Sequence, residues 1–248
     1  MRKSLMFDLA KAVELAYKEA SKKNNPRKGA SKTLNILDEN DDVTETVEVK
    51  YLGKGSFSQV YWDGAKRIII VIDEDSCGEM TKSMLADINA REGEQPYIPV
   101  IIALGWLPKP RGSGWLRVYE SVLYKTPLRK SDSLEAWEMS KALIKMINEA
   151  KDATFSFNKS KWSLDSRYRT ATQMESIDEE PPKGVDESRW KLFCETVAYL
   201  CRESVNYSDV WLMEASPRNL ATDANGQLIL LDIFFDSQAL EKQRSGRC

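Results

Sequence analysis

Histidine is absent from all 248 residues. That removes the commonest metal ligand and the usual general base, and with them Ser-His and Cys-His nucleophile schemes. Chemistry has to run on carboxylates, amides, lysine or arginine. Cysteine is sparse as well: Cys77, Cys194, Cys201 and Cys248 are too scattered for a disulfide framework and form no C-x-x-C pair, which fits a reducing cytoplasm. No apolar run approaches the roughly 20 residues needed to span a bilayer. The apolar part of the first 23 residues is interrupted by Asp8, Lys11 and Glu14, so it is not expected to act as a signal peptide. Finally, no charge sign dominates. Thirty-six basic against 38 acidic side chains leave a net charge of −2, and no global field draws the chain to nucleic acid or a membrane.

What is present is patterned. Residues 4–22 place Leu5, Met6, Leu9, Val13 and Ala16 on one helical face, which predicts a docking helix followed by a linker. Residues 1–33 carry nine basic and three acidic groups, but there is little aromatic content to stack bases, so nucleic acid is not an expected partner. From Val47 the texture becomes strand-like: "VEVKYLGKGSFSQVYW" alternates around a glycine pair, "RIIIVID" is a β-branched run, and "GEMTKSMLADINA" has helical spacing. Two more strands are expected in "YIPVIIALGWL" and "WLRVYESVLY", giving a small sheet with one helix.

The second half is helical. "SLEAWEMSKALIKMINEA" and "ESRWKLFCETVAYLCRES" are amphipathic and follow Ser or Asp cap signals. Cys194 and Cys201 fall on the apolar face of the second with Phe193, Val197 and Leu200, as small core residues. Residues 151–186 between them have little periodicity and predict a long loop. Later, Asn225-Gly226 between "NLATDA" and "QLILLD" predicts a two-residue hairpin, because both central positions of a type I′ turn need positive φ.

Two places carry the residue types that chemistry needs. "LGKGSFSQVY" sets Gly53 and Gly55 between strand-like residues, where backbone N–H groups can approach phosphates closely; Gly53, Lys54, Gly55, Ser56 and Val60 are the candidate nucleotide contacts. At the other end, Asn219 and Asp232 flank the hairpin, so antiparallel pairing brings them together. An amide oxygen and a carboxylate are hard ligands suited to magnesium, which is usually held by one or two protein groups plus phosphates. Glu214, five residues before Asn219, adds a carboxylate on the same irregular segment.

The order of these features resembles the protein kinases: a glycine-rich flap, a strand, a helix, two strands, two long helices, "LMEASPRN" in place of a catalytic loop and "LDIFF" in place of the metal loop. Within this likeness Glu214 stands at the catalytic-base position, Asn219 at the second-metal position and Asp232 at the principal metal position. The short chain looks most like the Ser/Thr kinases of short-tailed bacteriophages. The resemblance implies an α+β, two-lobed protein-kinase-like fold: an N-terminal helix and linker over 1–33, a β-rich N-lobe over 34–121 and a truncated helical C-lobe over 122–248. It implies ATP and magnesium as cofactors, Ser/Thr phosphorylation of host proteins during phage takeover, a host-protein partner, no membrane partner, and the host cytoplasm as location.

Three positions depart from the kinase pattern. Ile70 stands where V-A-I-K would place lysine, so a cation would have to come from Lys66, Arg67 or Lys82, and Glu79 on the helix is expected to be a solvated charge. Glu214 replaces aspartate, and Asp232-Ile233-Phe234 replaces D-F-G. The alternatives are a pseudokinase that binds and inhibits a host protein, and an α+β interaction protein in which both motifs are structural.

Overall fold

The structure is a computed structural model that describes residues 29–54, 58–64, 67–74, 76–110, 113–152, 159–176, 180–209 and 211–236. The predicted helix over 4–22, and the candidates Gly55, Ser56 and Lys66, lie outside the described residues. The chain divides into two compact units, one holding residues 29–93 and 100–124, the other 94–99 and 125–236.

The first unit is a closed antiparallel barrel with strand order β1-β2-β3-β4-β6-β5. Its strands are β1 (Ser31–Leu37), β2 (Val43–Lys54), β3 (Ser58–Trp62), β4 (Ile68–Asp73), β5 (Ile101–Pro108) and β6 (Trp115–Ser121). Alternation along each strand sends one row inward. Leu34, Ile36, Val47, Val49, Tyr61, Ile69, Val71, Leu107 and Val118 meet in a single cluster. Helix α1 (Cys77–Glu92) packs on the outside against β4 and β5 through Met84, Leu85 and Ile88. This explains why "IIIVI" is apolar without interruption, since β4 is covered on both faces.

The inward rows end in charge. Arg67 stands just before β4, two residues ahead of Ile69, and its guanidinium pairs with Glu45 of β2, with Glu120 of β6 at 3.2 Å and with Asp63 at 3.3 Å. Three carboxylates hold one half-buried cation, and the Glu45 hydrogen bond pushes its already high pKa further up. Arg67, offered above as a cation for phosphate, is committed to this group.

The barrel corrects the two-lobed protein-kinase-like fold. The sequence reading took residues up to 33 as helix and linker and expected a small sheet with one helix. Ser31–Leu37 instead forms a sixth strand, which pairs with β2 along its length and meets β5 at Leu37↔Trp106, closing the sheet on itself. Asp38 to Asp42 form a tight acidic turn, Asp38 Oδ1 accepting the Asn40 and Asp42 N–H groups.

The second unit contains α2 (Leu134–Asp152), α3 (Lys159–Glu175), α4 (Glu187–Tyr207) and two short two-stranded sheets. Both predicted helices are present, and α4 starts at Asp186, whose side chain accepts the Arg189 N–H. The predicted loop over 151–186 is overturned by α3. That helix shows little apolar periodicity because it buries polar groups beside Ala171 and Met174: Ser166, Arg167 and Thr170 all lie inside, with Thr170 donating to the Ser166 carbonyl. Residues 94–99 join this unit because Leu230 N–H donates to the Tyr97 carbonyl and the Tyr97 hydroxyl donates to Arg189 O. Among the described residues no helix is long and apolar enough to cross a membrane.

Cys194 and Cys201 are buried in α4, as their spacing predicts, and burial pushes both thiols up to about 12. Because the thiolate is the reactive form, a thiol reagent at neutral pH should label neither residue in the folded chain and both in denaturant, as read by mass mapping. The folded-state pKa values lie above the unfolded ones, so this contribution to stability is complete below pH ~8.5 and is lost as pH rises toward 12. Urea midpoints should therefore fall across that window.

Candidate functional site

The hairpin after α4 is built from main-chain bonds. Strand β7 (Trp211–Met213) pairs with β10 (Phe234–Asp236), and β8 (Leu220–Thr222) pairs with β9 (Leu228–Leu230). Trp211 lies flat between Tyr207 and Phe234, which fixes the base of the loop. Its connection is not the type I′ turn predicted at Asn225-Gly226. Asn225 keeps negative φ and only Gly226 is left-handed, at φ 80°. Asp223 accounts for the difference: its Oδ1 accepts the Asn225 and Gln227 N–H groups and its carbonyl accepts that of Gly226. This is a type I turn with Asp first and Gly last, spread over a longer loop.

At the mouth of the hairpin the three candidate residues meet. The Asn219 carbonyl accepts from Leu231 N–H at 3.0 Å and from Asp232 N–H at 3.3 Å. Glu214 follows β7 directly, and its N–H donates to the Ile233 carbonyl at 2.8 Å. The Asn219 amide nitrogen donates to the Glu214 carbonyl at 3.5 Å, which makes the amide oxygen its ligating end. Glu214 is exposed, and Asn219 and Asp232 are half-buried. A strap over 125–128 supports the loop from behind: Leu128 N–H donates to the Pro217 and Leu220 carbonyls, and the Thr126 hydroxyl reaches the Arg218 and Leu220 carbonyls. Lys125 pairs with Thr222 in both directions and holds the buried Asp132 carboxylate. Among the described residues no group of three or more His, Cys, Asp or Glu side chains could hold a metal. A carboxylate and an amide carried on hydrogen-bonded backbone segments suit magnesium, which takes few protein ligands, better than a cation requiring a full protein cage.

The other candidates belong to the barrel. Gly53 and Val60 face each other in the β2–β3 ladder, next to Lys54 and Gln59. Ile70 is central in β4, paired with Val60 on one side and Tyr119 on the other.

Glu79 differs from its expected role as a solvated charge. Its carboxylate accepts the hydroxyl of the fully buried Tyr119 at 2.6 Å and lies 3.8 Å from the Arg117 guanidinium, which stacks 4.0 Å above the Trp106 ring. Burial, then the bond to Glu79, raises the Tyr119 pKa. Arg117 thus supplies a cation beside Glu79, whereas Arg67 is paired with Glu45, Glu120 and Asp63. Sequence reasoning missed both partners. Their signal was the "RVY" alternation in β6, which puts Arg117 and Tyr119 on the strand face opposite Val118.

The fold defines a closed antiparallel barrel joined in sequence to an α+β unit that carries a clustered carboxylate–amide loop. The chain matches no protein-family model and no curated protein.

Proposed function

We propose that the loop of Glu214, Asn219 and Asp232 binds a magnesium–nucleotide and supports phosphoryl transfer to a Ser or Thr hydroxyl of a protein. By the likeness to phage kinases, that acceptor is a host protein. One observation carries the reading: the main-chain bonds from Leu231 and Asp232 to the Asn219 carbonyl bring together the backbones of an amide-bearing and a carboxylate-bearing residue at the end of a braced hairpin. Asn219 and Asp232 would hold the cation, which when bound neutralises phosphate charge. Glu214 is exposed on the same loop, where its carboxylate can accept the hydrogen bond of an incoming hydroxyl and orient it. The reading does not rest on a kinase-like architecture.

A second reading, nucleotide binding without transfer, is favoured by Ile70 and by the engagement of Glu79 with Tyr119 and Arg117, which leaves no lysine in the expected place. Calorimetry with ATP and magnesium, run beside labelled-ATP transfer to a bacterial extract, separates the two. Asp232→Ala and Asn219→Ala should abolish magnesium-dependent binding, with transfer falling by more than about 100-fold. Glu214→Gln should keep binding and lose transfer. Binding without transfer in the unaltered chain selects the second reading. No binding, or binding indifferent to Asp232, overturns both.

A further inference from the structure

The outer face of β1, β2 and β3 holds a cavity of about 400 Å³, lined by Ser31, Lys32, Thr33, Glu48, Val49, Lys50, Trp62, Asp63 and Gly64. It lies wholly within the barrel unit and does not involve the Glu214 loop. Cross-strand register explains its layout. Ser31, Lys50 and Trp62 form one row across three strands, and Thr33 and Glu48 form the next row on the same face. Adjacent strands lie about 4.8 Å apart, so the first row is about 10 Å wide, the width of one or two six-membered rings. The volume falls within the roughly 300–1,000 Å³ typical of small-molecule sites.

The lining narrows the ligand class. On this face the Lys50 ammonium and the Glu48 carboxylate offset each other, while Asp63 is paired with Arg67 and Lys32 lies over the Tyr61 ring, so the lining favours neither a phosphate nor a polycation. Glu48 on the open face also opposes a nucleic-acid backbone. Hydroxyls, amines and carboxylates together present donors and acceptors in nearly equal supply around one indole ring. Trp62 stands on this outer face of β3, and Tyr61 fills the inward position beside it. Gly64, at φ 87°, has nothing within 4 Å of where a side chain would start, so the rim stays open.

We propose that this cavity binds a neutral polyhydroxylated ring, a mono- or disaccharide. The C–H face of the ring would lie on Trp62, and its hydroxyls would be shared between Glu48, Thr33 and Ser31. A saccharide is the ligand class whose surface combines dense, alternating donors and acceptors with one apolar face.

The test titrates the full chain with maltose, cellobiose and N-acetylglucosamine, following amide chemical shifts and tryptophan fluorescence. At least one sugar should saturate in the millimolar range, with shifts concentrated at residues 31–33, 48–50 and 62–64. Trp62→Ala should weaken binding by about tenfold or more. Because Trp62→Ala can also disturb the strand, Glu48→Gln and Thr33→Val, both at exposed positions, serve as companions and should each weaken binding while leaving the urea midpoint unchanged. Three results would each overturn the proposal: no shift with any sugar at tens of millimolar, shifts lying elsewhere, or the same face responding to inorganic phosphate or a short oligodeoxynucleotide instead.

Discussion

Gly105→Ala should open the barrel. Gly105 sits at φ 152°, beside the bulge between Ala103 and Gly105 in β5 and next to the Leu37↔Trp106 pair that joins β5 to β1. A Cβ placed there would stand 2.1 Å from the Leu37 carbonyl oxygen and 2.9 Å from a methyl of Ile36. Neither neighbour can yield cheaply: the oxygen is backbone, and Ile36 is fully buried in the barrel interior. Strain at a conformation that side chains rarely adopt, added to overpacking, places the cost at about 3–5 kcal/mol. The damage should be local first. Amide hydrogen exchange should show protection lost in β1 and along the β1–β5 seam, while β3 and β4 keep theirs, because the ladder between them does not pass through Gly105. A variant with the parent's urea midpoint and exchange pattern would show that the seam does not need a glycine.

Arg167→Ala should cost a similar amount in the other unit. Arg167 is fully buried, Nη1 donates to the Ser204 hydroxyl at 3.0 Å, and Nη2 donates to the Ser208 carbonyl at 2.6 Å. Ser208 is the residue that ends α4, so the guanidinium satisfies a carbonyl left over by the helix and places positive charge at its C-terminal end. Ser204 in turn donates to the Cys201 carbonyl, which makes its hydroxyl oxygen a natural acceptor for the arginine. Burial lowers the Arg167 pKa, and the nearby Asp209 opposes that shift. Truncation removes these bonds and leaves a cavity the size of a long side chain, for an expected loss of about 3–5 kcal/mol and a fall in Tm on the order of 10 °C. Arg167→Met separates packing from hydrogen bonding. If methionine restores most of the stability, the fork contributes little; a loss close to that of alanine assigns the effect to the bonds.

These two positions also show where sequence pattern stops being informative. Nothing in "IIALGWLP" marks Gly105 as different from any glycine that weakens a strand, because the atom it avoids belongs to Leu37, 68 positions earlier. Arg167 lies in a stretch whose described buried residues are Ser166, Arg167, Thr170, Ala171 and Met174. Periodicity of apolar residues is the signal for an amphipathic helix, and here polar residues take most of those buried positions, so α3 read as loop. Strand β1 was hidden in the same way. "SKTLNIL" buries only Leu34 and Ile36 fully, too short an alternation to stand out beside a basic segment.

The candidate loop was more legible than the fold. Asn219, Asp232 and Glu214 were singled out from a turn signal and their spacing, and the hairpin brings their backbones together even though its turn differs from the predicted type. Short-range geometry suffices there, since an antiparallel hairpin aligns its own ends whatever encloses it. Glu79 is the opposite case. Its partners Arg117 and Tyr119 lie about 40 residues away on β6, and only the packing of α1 against the barrel decides that this carboxylate is held.

The sequence by itself determined the long helices α2 and α4, the strands β2 to β6, the thiols inside α4 and the hairpin that aligns Asn219 with Asp232, because each follows from alternation, helical spacing or a turn within a few residues. Only the tertiary structure decided that β1 closes the sheet, that Arg67 and Arg167 are held by hydrogen bonds and that Arg117 accompanies Glu79. Those outcomes depend on which distant backbone or carboxylate arrives beside each group, and residue order along one segment holds no record of that.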